Sequence, residues 1–288
     1  MDATLAPIRR HVTVREGLEL SVHEWPGAER PFLLVHGLAS NARTWDLVGH
    51  HLNHRGHYVI AVDQRGHGHS DKPDTGYGFD DVTEDLHALS HELRLDAPIV
   101  AGQSWGGNVV LDFAARYPRV LSGLVLVDGG FIELSSDGET VESVAERLKP
   151  PNLLGTPRSL MLERMRSFHP EWSETQIEMQ MANFETLPDE TIRPWLSLGR
   201  HMEIVRALYH QKPSTLYPKV RTPTLIAAAP TPSAGRQAAK QLEVEAAGTA
   251  IERVKVRWFN NSGHDIHIER PEALAAWMLE ALDEGFFD

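Results

Sequence analysis

Short apolar runs alternate with amphipathic stretches along much of this chain, and that rhythm constrains its fold more than any other feature. Residues 18–25, 31–37, 57–63, 97–103 and 121–130 have the length and composition of strands, the later ones apolar on both faces. Between them, 43–54, 79–94 and 106–117 have helical spacing. Strands apolar on both faces and joined by helices imply a mostly parallel sheet covered on each side. After residue 130 the rhythm stops. Residues 131–218 read as helices with loops, including "SLMLERMRSF" with Met161, Met165 and Phe168 on one face, and "SETQIEMQMANFE" opening with a Ser173/Gln176 capping box. Strands resume at 222–229 and 253–259, each followed by a helix. The expected organisation is an α/β core formed by 1–130 and 219–288, with 131–218 inserted as a helical cap.

Composition narrows the chemistry. A chain of 288 residues, 41% hydrophobic and 24% charged, can bury a large core. Its formal charge of −12 disfavours nucleic acid and anionic membrane as partners. It contains no cysteine, which excludes a disulfide framework, a thiolate nucleophile and a cysteine-ligated metal. The amino-terminal "MDATLAPIRRHV" lacks the apolar core of a signal peptide, and no run approaches the roughly 18 apolar residues of a membrane span. A cytoplasmic location is expected.

The segment "IVAGQSWGGNVVLDFAAR" begins as a strand, ends as a helix and sets Ser104 between Gly102 and Gly106 at the join. Such a turn is crowded, and flanking glycines let the backbone pack closely while the central side chain is lifted clear, with a helix N-terminus behind it to favour developing negative charge. A bare G-x-S-x-G arises by chance in roughly one chain in ten of this composition, so its context decides.

A serine hydroxyl needs a base, and in parallel sheets such groups gather at the carboxyl ends of strands. Of the 16 histidines, His50, His51, His54 and His57 lie on or beside an early amphipathic helix, with a solvated face as the simpler reading. His67 and His69 sit in the glycine-rich turn "DQRGHGHSD", where local hydrogen bonding outweighs ligation. His264, in "NNSGHDIHIERP", falls in the loop after the last strand and before a helix starting at Pro271, which suits a base as well as a structural histidine. His267 could pair with it around a metal, but no third ligand is suggested nearby. Attack on a carbonyl also needs backbone N–H donors for the oxyanion; Trp105, next to Ser104, and Leu38, in the loop after "LLVHG", are the candidates.

The segments "HGLASNARTW", "DQRGHGHSD", "GQSWGG" and "GHDIHIERP" stand in an order and spacing that resemble the α/β-hydrolase family over nearly the whole chain. The resemblance implies the α/β-hydrolase fold, Ser104 as nucleophile, His264 as base, Leu38 and Trp105 as oxyanion donors, and no cofactor or metal. Serine at the elbow speaks against the haloalkane dehalogenase and epoxide hydrolase branches, which resemble this chain but use aspartate. The family usually carries its orienting acid shortly after the strand that follows the cap; here Pro230, Thr231, Pro232 and Ser233 offer none. Some members carry it at the end of the strand before the cap, where "LVLVDGG" supplies Asp128; Glu133 is a weaker reserve, and Asp265 would have to reach around its own backbone.

The expected function is a serine hydrolase acting on a small-molecule carboxylic ester or lactone; Met161, Met165, Met179, Met181, Trp172 and Trp195 suggest a moderately apolar one, although packing of the cap is the simpler role for most of these. Carbon–carbon bond hydrolysis, perhydrolysis and acyl transfer could use the same residues, and a ligand-binding relative with little turnover is the alternative from a different class.

Overall fold

The computed structural model describes residues 6–135 and 138–288; the first five residues and 136–137 of the inserted segment lie outside them. The first part of the core comprises β1 (Ile8–Arg15), β2 (Leu18–Trp25), β3 (Glu29–Val35), α1 (Asp46–His54), β4 (His57–Val62), α2 (Phe79–Glu92), β5 (Ile99–Gln103), α3 (Trp105–Arg116) and β6 (Gly123–Val127). The segment that follows holds α4 (Val141–Arg147), β7 (Thr156–Pro157), α5 (Arg158–Phe168), α6 (Glu174–Met181), β8 (Phe184–Thr186), β9 (Thr191–Pro194) and α7 (Leu198–His210). The core then resumes with β10 (Thr224–Ala228), α8 (Ala234–Ala250), β11 (Val254–Trp258), α9 (Ile266–Glu269) and α10 (Pro271–Asp283).

Eight strands form one sheet in the order β1-β2-β4-β3-β5-β6-β10-β11. Pairing is parallel from β4 through β11, and only the contacts of β2 are antiparallel. The mostly parallel sheet flanked by helices is the expected fold class. Its cause is visible in the period of two along each strand. Phe32 and Leu34, Val59 and Ala61, Val125 and Val127 join one buried cluster with Val48 of the α1 neighbourhood, Leu52, Leu274 and Met278. Leu33 and Val35, Ile60 and Val62, Leu124 and Leu126 join the other, with Val82, Leu86, Val109, Val244 and Ala247 of α2, α3 and α8. Because both faces are dry, truncating a strand residue such as Leu34 to alanine costs about 2–5 kcal/mol.

β10 pairs with β6, so the chain between them leaves the sheet and returns beside its departure point. That inserted segment has its own apolar cluster of Met165, Ile177, Met181 and Ile192, with Met161 and Trp172 packed against it. It also contains a three-stranded antiparallel sheet, β7-β9-β8, where helices and loops were expected. Strands of two to four residues are too short to display an alternating pattern. Phe168 does not share the Met161/Met165 cluster: it is the last residue of α5 and is 78% exposed. The Ser173/Gln176 capping box is present at α6. Among the described residues, no helix is long and apolar enough to cross a membrane.

Candidate active site

The carboxyl ends of β5, β6 and β11 bring the candidate residues to one edge of the sheet. At the first, Ser104 adopts φ 54° and ψ −124°, a left-handed region that a residue with a Cβ rarely occupies and that costs on the order of 1–3 kcal/mol. The surrounding structure enforces it. Ser104 N–H donates to Val127 O at 3.0 Å, tying the elbow to the end of β6, and Gly107 N–H donates to Ser104 O at 2.9 Å. The backbone crossings leave no room for side chains: a Cβ on Gly106 would stand 2.4 Å from His36 O, and one on Gly129 would stand 2.1 Å from Ser104 O. The serine side chain leaves this packed crossing half-buried.

Asp128 follows β6 directly, with φ 46° and 2% exposure. Aspartate tolerates this conformation better than most residues. Its N–H donates to Ala227 O at 2.7 Å, and its Oδ1 accepts the Ala229 N–H at 2.9 Å, so β10 fixes both its backbone and its carboxylate. His264 arrives from the loop after β11. That loop is closed by Glu269 of α9, whose Oε2 accepts Gly263 N–H at 2.6 Å, and is anchored to the elbow by Gln103 Nε2 donating to His264 O at 3.3 Å.

His264 Nδ1 lies 2.6 Å from Asp128 Oδ2. The carboxylate side chain is 1% exposed and the imidazole 52%, so an anion held in the interior meets a ring open to the site. Burial opposes ionisation of Asp128, yet the His264 hydrogen bond and the neighbouring positive charge outweigh it and hold the carboxyl below its ordinary range. For His264, desolvation of the inner edge is outweighed by the Asp128 hydrogen bond and charge, and its affinity for a proton rises above the ordinary histidine value. The other two carboxylates considered from sequence are engaged elsewhere: Glu133 accepts from Ser214 Oγ at 3.0 Å, and Asp265 Oδ1 accepts from Gln103 Nε2 at 3.4 Å.

Trp105 is the first residue of α3, and Leu38 lies in the loop after β3. The preceding Gly37 packs against the elbow so closely that a Cβ there would stand 3.2 Å from Ser104 Cβ. Two neutral histidines brace this loop. His36 Nε2 accepts Gln64 N–H at 3.0 Å, which leaves Nδ1–H to donate to Gly37 O at 2.7 Å. His67 Nε2 accepts Ala39 N–H at 3.2 Å, and its Nδ1–H donates to Arg65 O at 3.0 Å. Burial lowers the proton affinity of both rings, and that of His67 strongly. His267 is buried against Trp45, ring centroids 4.7 Å apart, and burial pushes its pKa down to about 3.

A cavity of about 490 Å³ lies between the inserted segment and this loop, with Ala39, Ser40 and His67 on one side and Leu153, Phe184 and Trp195 on the other. Its walls reach the neighbours of Leu38 but do not include Ser104 or His264. Of the large residues considered for a pocket, Trp195 lines it; Met161, Met165, Met181 and Trp172 pack within the inserted segment, and Met179 is 1% exposed.

One residue of the site has no counterpart in the sequence reading. Lys240 of α8 is buried and places Nζ 2.6 Å from Asp128 Oδ1. The signal was its position in the helix: Lys240, Val244 and Ala247 share the buried face of α8.

Comparison with known proteins agrees with the fold. The chain is 37% identical over 111 residues to 2-(acetamidomethylene)succinate hydrolase of Mesorhizobium japonicum, covering 38% of this chain and 39% of that protein. It is 36% identical over 106 residues to a non-heme chloroperoxidase of Streptomyces lividans, covering 36% and 38%. The aligned region thus spans about two fifths of the length of these curated relatives. The crystal structure of E-2-(acetamidomethylene)succinate hydrolase superposes with a TM-score of 0.78 at 24% identity, over 96% of this chain and 99% of that one. A sequence profile of the alpha/beta hydrolase family matches residues 32–277, and the chain belongs to that family.

Proposed function

We propose that this protein is a serine hydrolase that cleaves a carboxylic ester or lactone through an acyl-enzyme. The observation that carries this reading is the 2.6 Å contact between His264 Nδ1 and a buried Asp128, at the sheet edge where the strained Ser104 elbow lies. Asp128 fixes the imidazole tautomer, so that Nε2 takes the Ser104 Oγ proton as the oxygen attacks the carbonyl carbon. The N–H groups of Leu38 and Trp105 stabilise the oxyanion. His264 then returns the proton to the departing alkoxide, and water, deprotonated by the same imidazole, releases the acid.

Residues 131–218 act as a cap over the site in this reading. The largely apolar cavity beside the Leu38 loop supports a moderately apolar, uncharged small molecule, with Phe184 and Trp195 as the aromatic walls. A fluorophosphonate probe tests the nucleophile: the wild-type protein should label rapidly and Ser104→Ala should not. A folded wild-type protein that never labels sinks the proposal. Esters and lactones of graded acyl length then report the reach of the cavity. The likeness to a non-heme chloroperoxidase favours one second reading, in which hydrogen peroxide intercepts the acyl-enzyme in place of water and leaves as a peracid. Peracid formation on adding peroxide to an ester assay distinguishes it.

A further inference from the structure

Most of α8 is exposed or half-exposed, but Lys240 on its inner face has only 7% of its side chain accessible. An ammonium loses its hydration there, and only strong acceptors can replace it. Its acceptors are Asp128 Oδ1 at 2.6 Å, Asp128 Oδ2 at 2.7 Å and Ala229 O at 2.7 Å. Oδ2 is also the oxygen that meets His264 Nδ1. One buried carboxylate is therefore divided between an imidazole and an ammonium.

We propose that Lys240 is a positioning residue of the relay, locking the Asp128 carboxylate toward His264 and offsetting its negative charge. The inference rests on the serine-hydrolase reading. With the imidazole neutral, Asp128 and Lys240 carry no net charge, and their burial does not require His264 to bind a proton. Without the ammonium, the imidazole becomes the nearest group able to neutralise the buried carboxylate. It then holds its proton to higher pH, which disables it as a base near neutrality. The other groups acting on the ring are Asp265 in its own loop and His267 on α9, which is held neutral. Asp265 is itself influenced by Glu269 of α9 and by His169 of the inserted segment. Asp128 and Asp265 favour the charged imidazole, and Lys240 opposes it.

The placement also bears on the displaced acid. The loop after β10 contains no carboxylate, and the helix that follows it delivers a cation to the acid at the end of β6. Acid and counter-charge thus come from neighbouring strand ends, and Ala229 touches both.

The test is the pH profile of kcat/KM for a short p-nitrophenyl ester in wild type, Lys240→Met, Lys240→Gln and Lys240→Arg. The acidic limb should move to higher pH in the two uncharged variants, so that activity near pH 6 falls about tenfold further than activity near pH 9. Lys240→Arg should keep the wild-type limb. Coincident limbs, with or without a uniform loss of activity, overturn the proposal, because a purely structural lysine would behave in that way. Failure of both uncharged variants to fold overturns it as well. An NMR titration of His264 should show the same displacement in Lys240→Gln independently of turnover. If wild type shows no Ser104-dependent hydrolysis, the hydrolase reading fails while this titration still reports the coupling.

Discussion

His264 and Asp128 are 136 residues apart in the chain and 2.6 Å apart in space, and the carboxylate between the imidazole and Lys240 is 1% exposed. A buried anion with two cationic or donating partners cannot lose its charge without stranding at least one of them. Removing one member of such a group therefore affects stability and chemistry separately.

Asp128→Asn should separate the two. The amide can present N–H where the carboxylate accepted one, which favours the wrong imidazole tautomer, and kcat should fall about 10⁴-fold by analogy with the same change in a serine protease. Lys240 would also be left buried without its anion, at a cost of about 3–5 kcal/mol in urea unfolding. The double variant Asp128→Asn/Lys240→Met should regain part of that stability and none of the activity. A double variant less stable than Asp128→Asn alone would contradict the buried pair.

The pH dependence follows from the directions of the shifts. In the proposed mechanism His264 acts as a base and must be unprotonated; because Asp128 raises its proton affinity, the acidic limb of wild-type kcat/KM should lie above the ordinary histidine value of 6.5. In Asp128→Asn the residual limb should move down. The folded-state shift of Asp128 has the opposite direction: its stabilising contribution is present above the ordinary carboxylate range and is lost as pH falls through the depressed value. Acid unfolding monitored by circular dichroism should show less pH dependence when Asp128 is replaced.

Much of the core was legible because strands buried on both faces leave continuous apolar runs, as in β5 and β6, where every residue is buried. β1 was not, since Val12 is the only buried residue of its eight, and an edge strand of this kind looks like a polar loop. The expectation for Asp128 came from an absence, because no carboxylate stands at 230–233, and the structure sets its carboxylate 2.6 Å from His264 Nδ1. Lys240 was overlooked for a physical reason: a lysine in an amphipathic helix ordinarily marks the solvent side, and only its spacing from Val244 and Ala247 says otherwise.

Gly106→Ala should damage the site through the backbone. Its new Cβ would lie 2.4 Å from His36 O and 2.7 Å from Val35 O, main-chain atoms at the end of β3 that cannot rotate away. Relief requires moving the strand end that leads to Leu38. Overpacking of this kind costs about 1–3 kcal/mol, and a displacement near 1 Å can lower kcat about 10²-fold. Gly235→Ala serves as a control, because nothing lies within 4 Å of its added Cβ. Unfolding midpoints and kcat measured on both variants should change only for Gly106→Ala, apart from a small helix stabilisation at 235.

Asp85→Ala should weaken the same loop from the opposite side. Arg65 and Asp85 have side chains 3% and 2% exposed and are joined by two hydrogen bonds, Nε to Oδ2 at 2.5 Å and Nη2 to Oδ1 at 2.6 Å. The guanidinium also donates to Gly76 O at 2.7 Å, and the Arg65 carbonyl accepts from His67, whose other nitrogen holds Ala39 beside Leu38. Removing the carboxylate takes both charge-assisted hydrogen bonds from the buried Arg65, leaving Asp81 Oδ1 at 4.0 Å as its neighbouring anion, and also strips Arg15 of its partner, which should cost about 3–5 kcal/mol in urea unfolding. Because the chain of contacts runs from Arg65 through His67 to the candidate oxyanion loop, kcat should fall in the folded variant while fluorophosphonate still labels Ser104. Loss of stability with kcat unchanged would mean that His67 keeps the loop in place without help from the ion pair.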